Sequence, residues 1–109
     1  MKKFLVLFLG FISVASGQTY SELMAKSIMH AHKDSIIVKI GKPAGWDYEQ
    51  GLVLKALEHV YQRTGDATYF QYIKKNIDSF VDANGNIRTF HFDEFNSDNI
   101  TTGRILLYL

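Results

Sequence analysis

Apolar residues recur at helical spacing through most of the chain after residue 18. Leu23, Met24, Ile28 and Ala31 fall three to four residues apart, which predicts a helix over residues 20 to 33 with these positions inward. Thr19 and Glu22 stand at capping-box spacing ahead of it. A second apolar face, Val53, Leu57, Val60 and Tyr61, predicts a helix that begins near Asp47 and stops at Gly65, the residue type that ends helices in the left-handed conformation. Asp47 and Gln50 repeat the capping-box spacing. Asp66 then caps a third helix, whose stripe runs through Tyr69, Phe70, Ile73, Ile77, Phe80 and Val81. The short link "TGD" forces these two helices side by side as an αα-hairpin.

Between the helices the pattern changes. "DSIIVKIGKPAG" is β-branched, ends in Gly and Pro, and reads as an extended connector. "DANGN", residues 82 to 86, is a turn, because Asn-Gly supports positive φ. "IRTFHF" alternates briefly and predicts a short extended piece. "NSDNITTGRILLYL" reads as a helix start with Ser97 or Asp98 as its cap and Ile105, Leu106 and Leu107 on its apolar side. The stripes are wider than so few helices can cover for one another. The expectation is the N-terminal piece of a larger helical protein, or a subunit covered by a partner.

The N-terminus follows a different rule. Lys2 and Lys3 precede an apolar run from Phe4 to Ala15, and the small residues Ala15, Ser16 and Gly17 precede Gln18. That is the pattern of a secretory signal peptide, residues 1 to 17, leaving a single domain over residues 18 to 109. The run is shorter than the ~20 residues that span a bilayer; an uncleaved anchor is the alternative. No membrane association is expected after cleavage. A cysteine-free exported chain that opens Met-Lys-Lys points to a bacterial protein, secreted or periplasmic.

Composition narrows the chemistry by exclusion. Twelve Lys and Arg against 11 Asp and Glu leave a net charge of +1, with no basic stripe, so nucleic acid is not an expected partner. Without cysteine there is neither a disulfide framework nor a thiolate metal site. His30 and His32, two apart on a helix, point in nearly opposite directions and cannot share a metal. His59 reads as a surface residue, and "DANGN" lacks the ligand ladder of a calcium loop. No metal and no cofactor are expected.

Aromatic residues make up 14% of the chain, and the one Trp is spent in "GWDYEQG", next to two Gly and close after the one Pro. An indole beside carboxylates suits a surface that grips a sugar ring: Trp46 can stack on the ring face while its N–H meets a hydroxyl. Tyr48 and Gln50 can join it. The plainer readings are a core or boundary aromatic for Trp46 and Tyr48, and a cap or first-turn polar residue for Gln50. Arg88 has the geometry to pair with a uronate carboxylate or to remain a solvated side chain. His91, just ahead of Asp93, Glu94 and Asp98, is a candidate site wall or a strand-edge surface residue. Asp98 is either a helix cap or a carboxylate aimed at a substrate, and a helix N-terminus favours the anion in both cases.

The blocks "WDYEQG", "YQRTGDATYFQYIKK", "VDANGNI" and "SDNITTGRILL", in that order over residues 19 to 109, resemble the opening of unsaturated glycuronyl hydrolases. The resemblance is closer to unsaturated rhamnogalacturonyl hydrolases, glycoside hydrolase family 105, than to the unsaturated glucuronyl hydrolases of family 88. It implies an all-α fold, the N-terminal part of an (α/α)6 barrel. It also implies an oligosaccharide substrate whose non-reducing end carries a C4–C5 double bond. That bond is hydrated, and the hemiketal so formed opens to a keto acid. Two facing aspartates do this in the family. The resemblance puts the first at Asp98, while the second lies on a segment after residue 109, so residues 18 to 109 alone are expected to be inactive.

The implied activity is hydrolysis of unsaturated galacturonyl-rhamnose units from pectin breakdown, with Asp98 catalytic and Trp46, Tyr48, Gln50, Arg88 and His91 binding substrate. A relative that only binds sugar is a further possibility. The alternative from another class is a non-catalytic helical-hairpin module, because "ALEHVYQRTGDATYFQYIKK" is also similar to tetratricopeptide-type pairs; "NGNIRTFHF" interrupts that period. Oligomeric state is left open.

Overall fold

In a computed structural model the chain is all-α. The structure describes residues 17–37 and 39–109, so the signal-peptide reading of residues 1 to 17 lies almost wholly outside the described residues. The elements run α1 (Tyr20–Ala31), α2 (Tyr48–Thr64), α3 (Ala67–Asp78), a 3-10 turn (Phe92–Glu94) and α4 (Asp98–Leu106). Among the described residues extended pairing is confined to an isolated antiparallel bridge, Val81 to Ile87. None of these helices is long and apolar enough to cross a membrane.

The caps form where the local chemistry places them. The Thr19 hydroxyl accepts from the Glu22 N–H at 3.4 Å, while the Glu22 carboxylate accepts from the Thr19 N–H at 2.8 Å. Asp47 accepts from the Gln50 N–H at 3.2 Å to open α2, and Asp66 from the Thr68 N–H at 2.9 Å to open α3. Gly65 ends α2 with φ 69°, its N–H donating to the Tyr61 carbonyl at 2.8 Å. Each such cap is worth about 1 kcal/mol.

The core is the α2–α3 hairpin with α4 laid against it. Leu54, Leu57 and Val60 from α2 meet Tyr69, Ile73 and Ile77 from α3, with Phe80 below them and Ile105 of α4 closing the side. Half-buried Tyr61, Phe70 and Tyr108 form an aromatic triangle with centroids 5.7 to 6.4 Å apart, tying the end of α4 to the hairpin. The approach of α4 to α2 is close. A Cβ added at Gly51 would lie 2.5 Å from the Thr102 backbone nitrogen. The Thr102 hydroxyl, itself buried, donates to the Asp47 carbonyl at the start of α2.

Several expectations need correction. α1 ends at Ala31 rather than residue 33, because His32 leaves the helix at φ −123°. Its predicted inner positions Leu23 and Met24 are exposed, and only Ala25 is buried. α1 is fastened from its N-terminal end instead, where the Arg63 guanidinium donates to the Thr19 hydroxyl at 2.7 Å and stands 3.6 Å from Glu22. The connector is not extended throughout but bends across the end of α3. There the Asn76 side chain accepts from the Ile36 N–H at 3.1 Å, and the Tyr72 hydroxyl donates to the His32 carbonyl at 2.5 Å. α3 stops at Asp78, so Phe80 and Val81 belong to the following turn. "IRTFHF" does not continue as a strand, since Thr89 turns the chain at φ 65°. The cap of α4 is Ser97, though its side chain makes no capping bond, and Asp98 is the first helical residue.

Candidate functional site: a groove beside the single tryptophan

The turn before α2 and the segment after the Val81–Ile87 bridge meet at one end of the hairpin. Trp46 comes from the first and Phe90 and His91 from the second. The Trp46 backbone N–H donates to the Thr89 hydroxyl at 2.8 Å, joining residues far apart in sequence. The indole is 3% exposed and packs edge-on against Phe80, centroids 5.8 Å apart. On the other face of Phe80 the Arg88 guanidinium sits 4.5 Å from the ring centroid, within cation–π reach.

An open groove of about 420 Å³ lies over this corner. Trp46 and Ile87 form its floor and Phe90, His91, Phe92 and Phe95 one wall. Phe92 and Phe95 are 79% and 86% exposed, their rings 6.1 Å apart. Exposed aromatics on this scale are unusual where nothing is to be bound, because they leave large apolar area in water. Asn96, Ser97, Asn99, Ile100 and Gly103, around the first turns of α4, form the opposite side. Asn99 is buried and brings a side-chain amide to that side. An apolar groove with a few amide and hydroxyl groups on one rim is built to take a ligand with an apolar face and a polar edge, which a pyranose ring has.

The predicted residues distribute unevenly over this geometry. Trp46 and His91 line the groove. Asp98 stands between two lining residues, Ser97 and Asn99, in the first turn of α4; it is exposed, and its N–H donates to the Asn96 side chain at 3.0 Å. Tyr48 is exposed on the first turn of α2 and does not line the groove. Arg88 lines a separate shallow recess with Ser79 and Asp82, its guanidinium 3.5 Å from the Ser79 carbonyl. Gln50 is fully buried and neither of its amide atoms has a hydrogen-bond partner. Among the described residues no three His, Cys, Asp or Glu side chains converge as a metal site. The Asp82 carboxylate is taken up within its own turn, accepting from the Asn84 and Asn86 N–H groups at 2.9 Å each.

Sequence reasoning passed over Phe90, Phe92, Phe95, Asn96 and Asn99. The signal for the aromatics was the density of Phe in "TFHFDEF", which a strand reading had assigned to alternation. Asn99 carried no such signal: its neighbour Asp98 is exposed and does not itself line the groove, and adjacent residues on a helix do not share a face.

The chain is thus an all-α protein with an aromatic groove at the start of the helix that follows its hairpin. The model for glycosyl hydrolase family 88 matches residues 20–109, and the chain belongs to that family. No solved structure matches the chain.

Proposed function

We propose that this chain acts, as part of an exported bacterial enzyme, on unsaturated galacturonyl-rhamnose oligosaccharides from pectin breakdown. The reaction is hydration of the C4–C5 double bond: a proton is delivered to C4, the hydroxyl of water adds at C5, and the resulting hemiketal opens. Asp98 is one of the two carboxylates this reaction requires. The unsaturated ring packs against the exposed Phe92 and Phe95 rings above the buried Trp46, with His91, Asn96 and Asn99 in the groove lining to meet its hydroxyls. The observation that carries this reading is that one groove joins the single indole to the turn of α4 that holds Asp98. The signal-peptide pattern at residues 1 to 17 supports action in the periplasm or outside the cell.

The test uses the full-length protein and rhamnogalacturonan pretreated with a lyase. Turnover appears as loss of the absorbance of the conjugated double bond, and its absence with ample enzyme would reduce the protein to a sugar binder. Asp98→Asn should lower turnover on the order of 100-fold or more, the usual contribution of a positioned acid or base. Its circular dichroism and unfolding midpoint should stay unchanged. Equal turnover in the variant would leave Asp98 a helix-start charge and nothing more.

A further inference from the structure

Thr89 is in a conformation its side chain disfavours. Its φ of 65° lies in the left-handed region, which β-branched residues almost never enter. Asn, Asp or Gly would occupy that position with less strain, so a threonine needs a reason, and outliers of this kind gather where a ligand is held. The reason on view is its hydroxyl, which accepts the Trp46 N–H at 2.8 Å. Trp46 is buried and lies outside any helix, and its backbone N–H takes its partner from the side chain of Thr89, itself exposed at the rim.

Thr89 also stands between groove-lining residues in the chain: Ile87 lies two positions before it and Phe90 and His91 directly after. The left-handed turn sends Phe90 and His91 into the wall, while the hydroxyl holds the floor. A single residue therefore joins floor to wall: among the described residues the segments 44–47 and 87–92 share only this hydrogen bond.

We infer that Thr89 is a positioning residue, a strained latch that sets Trp46 and the Phe90–His91 wall at the spacing the ligand requires. This rests on the groove being the sugar site. Thr89 touches no reacting atom; it acts on binding through Trp46.

The experiment is done on the full-length protein labelled with 5-fluorotryptophan, the Trp46 fluorine resonance being identified by its loss in Trp46→Phe. Thr89→Gly removes the hydroxyl and is at ease at positive φ, so its folding is not threatened. Thr89→Ser keeps the hydroxyl. Thr89→Gly should shift or broaden the Trp46 resonance and raise KM for the unsaturated oligosaccharide on the order of tenfold, the scale of one hydrogen bond, with kcat within about threefold. Thr89→Ser should restore both. A Thr89→Gly protein with the wild-type resonance and KM would overturn the latch. A fall in unfolding midpoint with resonance and KM unmoved would also overturn it, as a merely structural role. If the wild-type protein turns over no unsaturated oligosaccharide, the functional reading fails, and the Trp46 resonance in the two variants still decides whether the latch exists.

Discussion

Gln50 shows how one side chain can satisfy a sequence rule and then be used otherwise. Its spacing from Asp47 is that of a capping box, in which the glutamine would reach back to the Asp47 N–H. Asp47 performs its half of that exchange, accepting from the Gln50 N–H at 3.2 Å. The Gln50 side chain performs neither half, because the first turn of α2 is pressed against α4 and the amide is shut in with no partner. An unpartnered buried amide costs about 1–3 kcal/mol against an apolar group of the same shape. Gln50→Met keeps the volume and removes both polar atoms, so the urea midpoint should rise by about 1 kcal/mol of stability. A lower midpoint would mean that the amide is bonded in solution and that polar chemistry is needed at this position. The cap at Asp47 was therefore legible residue by residue, whereas the fate of Gln50 depended on packing that only the folded chain supplies.

At the scale of elements, the parts that local chemistry defines were readable and the parts that packing defines were not. Gly65 and Asp66 mark the α2–α3 turn by conformation and capping, and the hairpin forms there. The face of α1 differs from the expectation because periodicity identifies a stripe but not what covers it; Leu23 and Met24 stay in water. The contact that seats α4 depends on the missing side chain at Gly51, and nothing in the pattern of apolar residues announces it. Gly51→Ala tests that contact. Helix propensity alone would favour alanine by about 1 kcal/mol. The new Cβ would meet the Thr102 nitrogen at 2.5 Å and its hydroxyl at 2.7 Å, and backbone cannot move aside as a side-chain tip can. Overpacking of this kind costs about 1–3 kcal/mol, so a net loss with a fall of several degrees in the thermal midpoint is expected. Gly103→Ala is the control in α4, because a Cβ there meets nothing within 4 Å and should leave stability equal or slightly higher. Equal behaviour of the two variants would show that α4 does not sit this close to α2.

For the molecule as a whole, the joints between elements are also its titrating groups, and they limit stability from both sides of neutral pH. Glu22 is held below the usual carboxylate range by its bonds to Thr19, with Arg63 adding attraction. Bonds to Thr68 lower Asp66, and bonds to Asn86 and the turn backbone lower Asp82. Glu22 and Asp66 cap the starts of α1 and α3 and Asp82 closes its own turn, while Arg63 of α2, 3.6 Å from Glu22, ties α1 to the hairpin. A depressed folded-state pKa means the unfolded chain binds protons first. Their stabilisation is thus complete above the ordinary carboxylate value of about 4 and is lost as pH falls through the lowered folded values. The tyrosines work in the opposite direction. Burial pushes the phenols of Tyr69, Tyr72 and Tyr108 above the ordinary value, so their contribution is complete below about pH 10 and is lost as pH rises through the raised values. Urea midpoints should therefore be level from about pH 5 to pH 9 and fall outside that window. The combined variant Glu22→Gln, Asp66→Asn, Asp82→Asn should flatten the acid limb and leave the alkaline limb in place. Tyr72→Phe should do the reverse, at the cost of the hydroxyl bond to the His32 carbonyl that holds the connector over α3. An acid limb equally steep in the triple variant would assign acid sensitivity to other carboxylates and remove these three joints from the account of what holds the helices together.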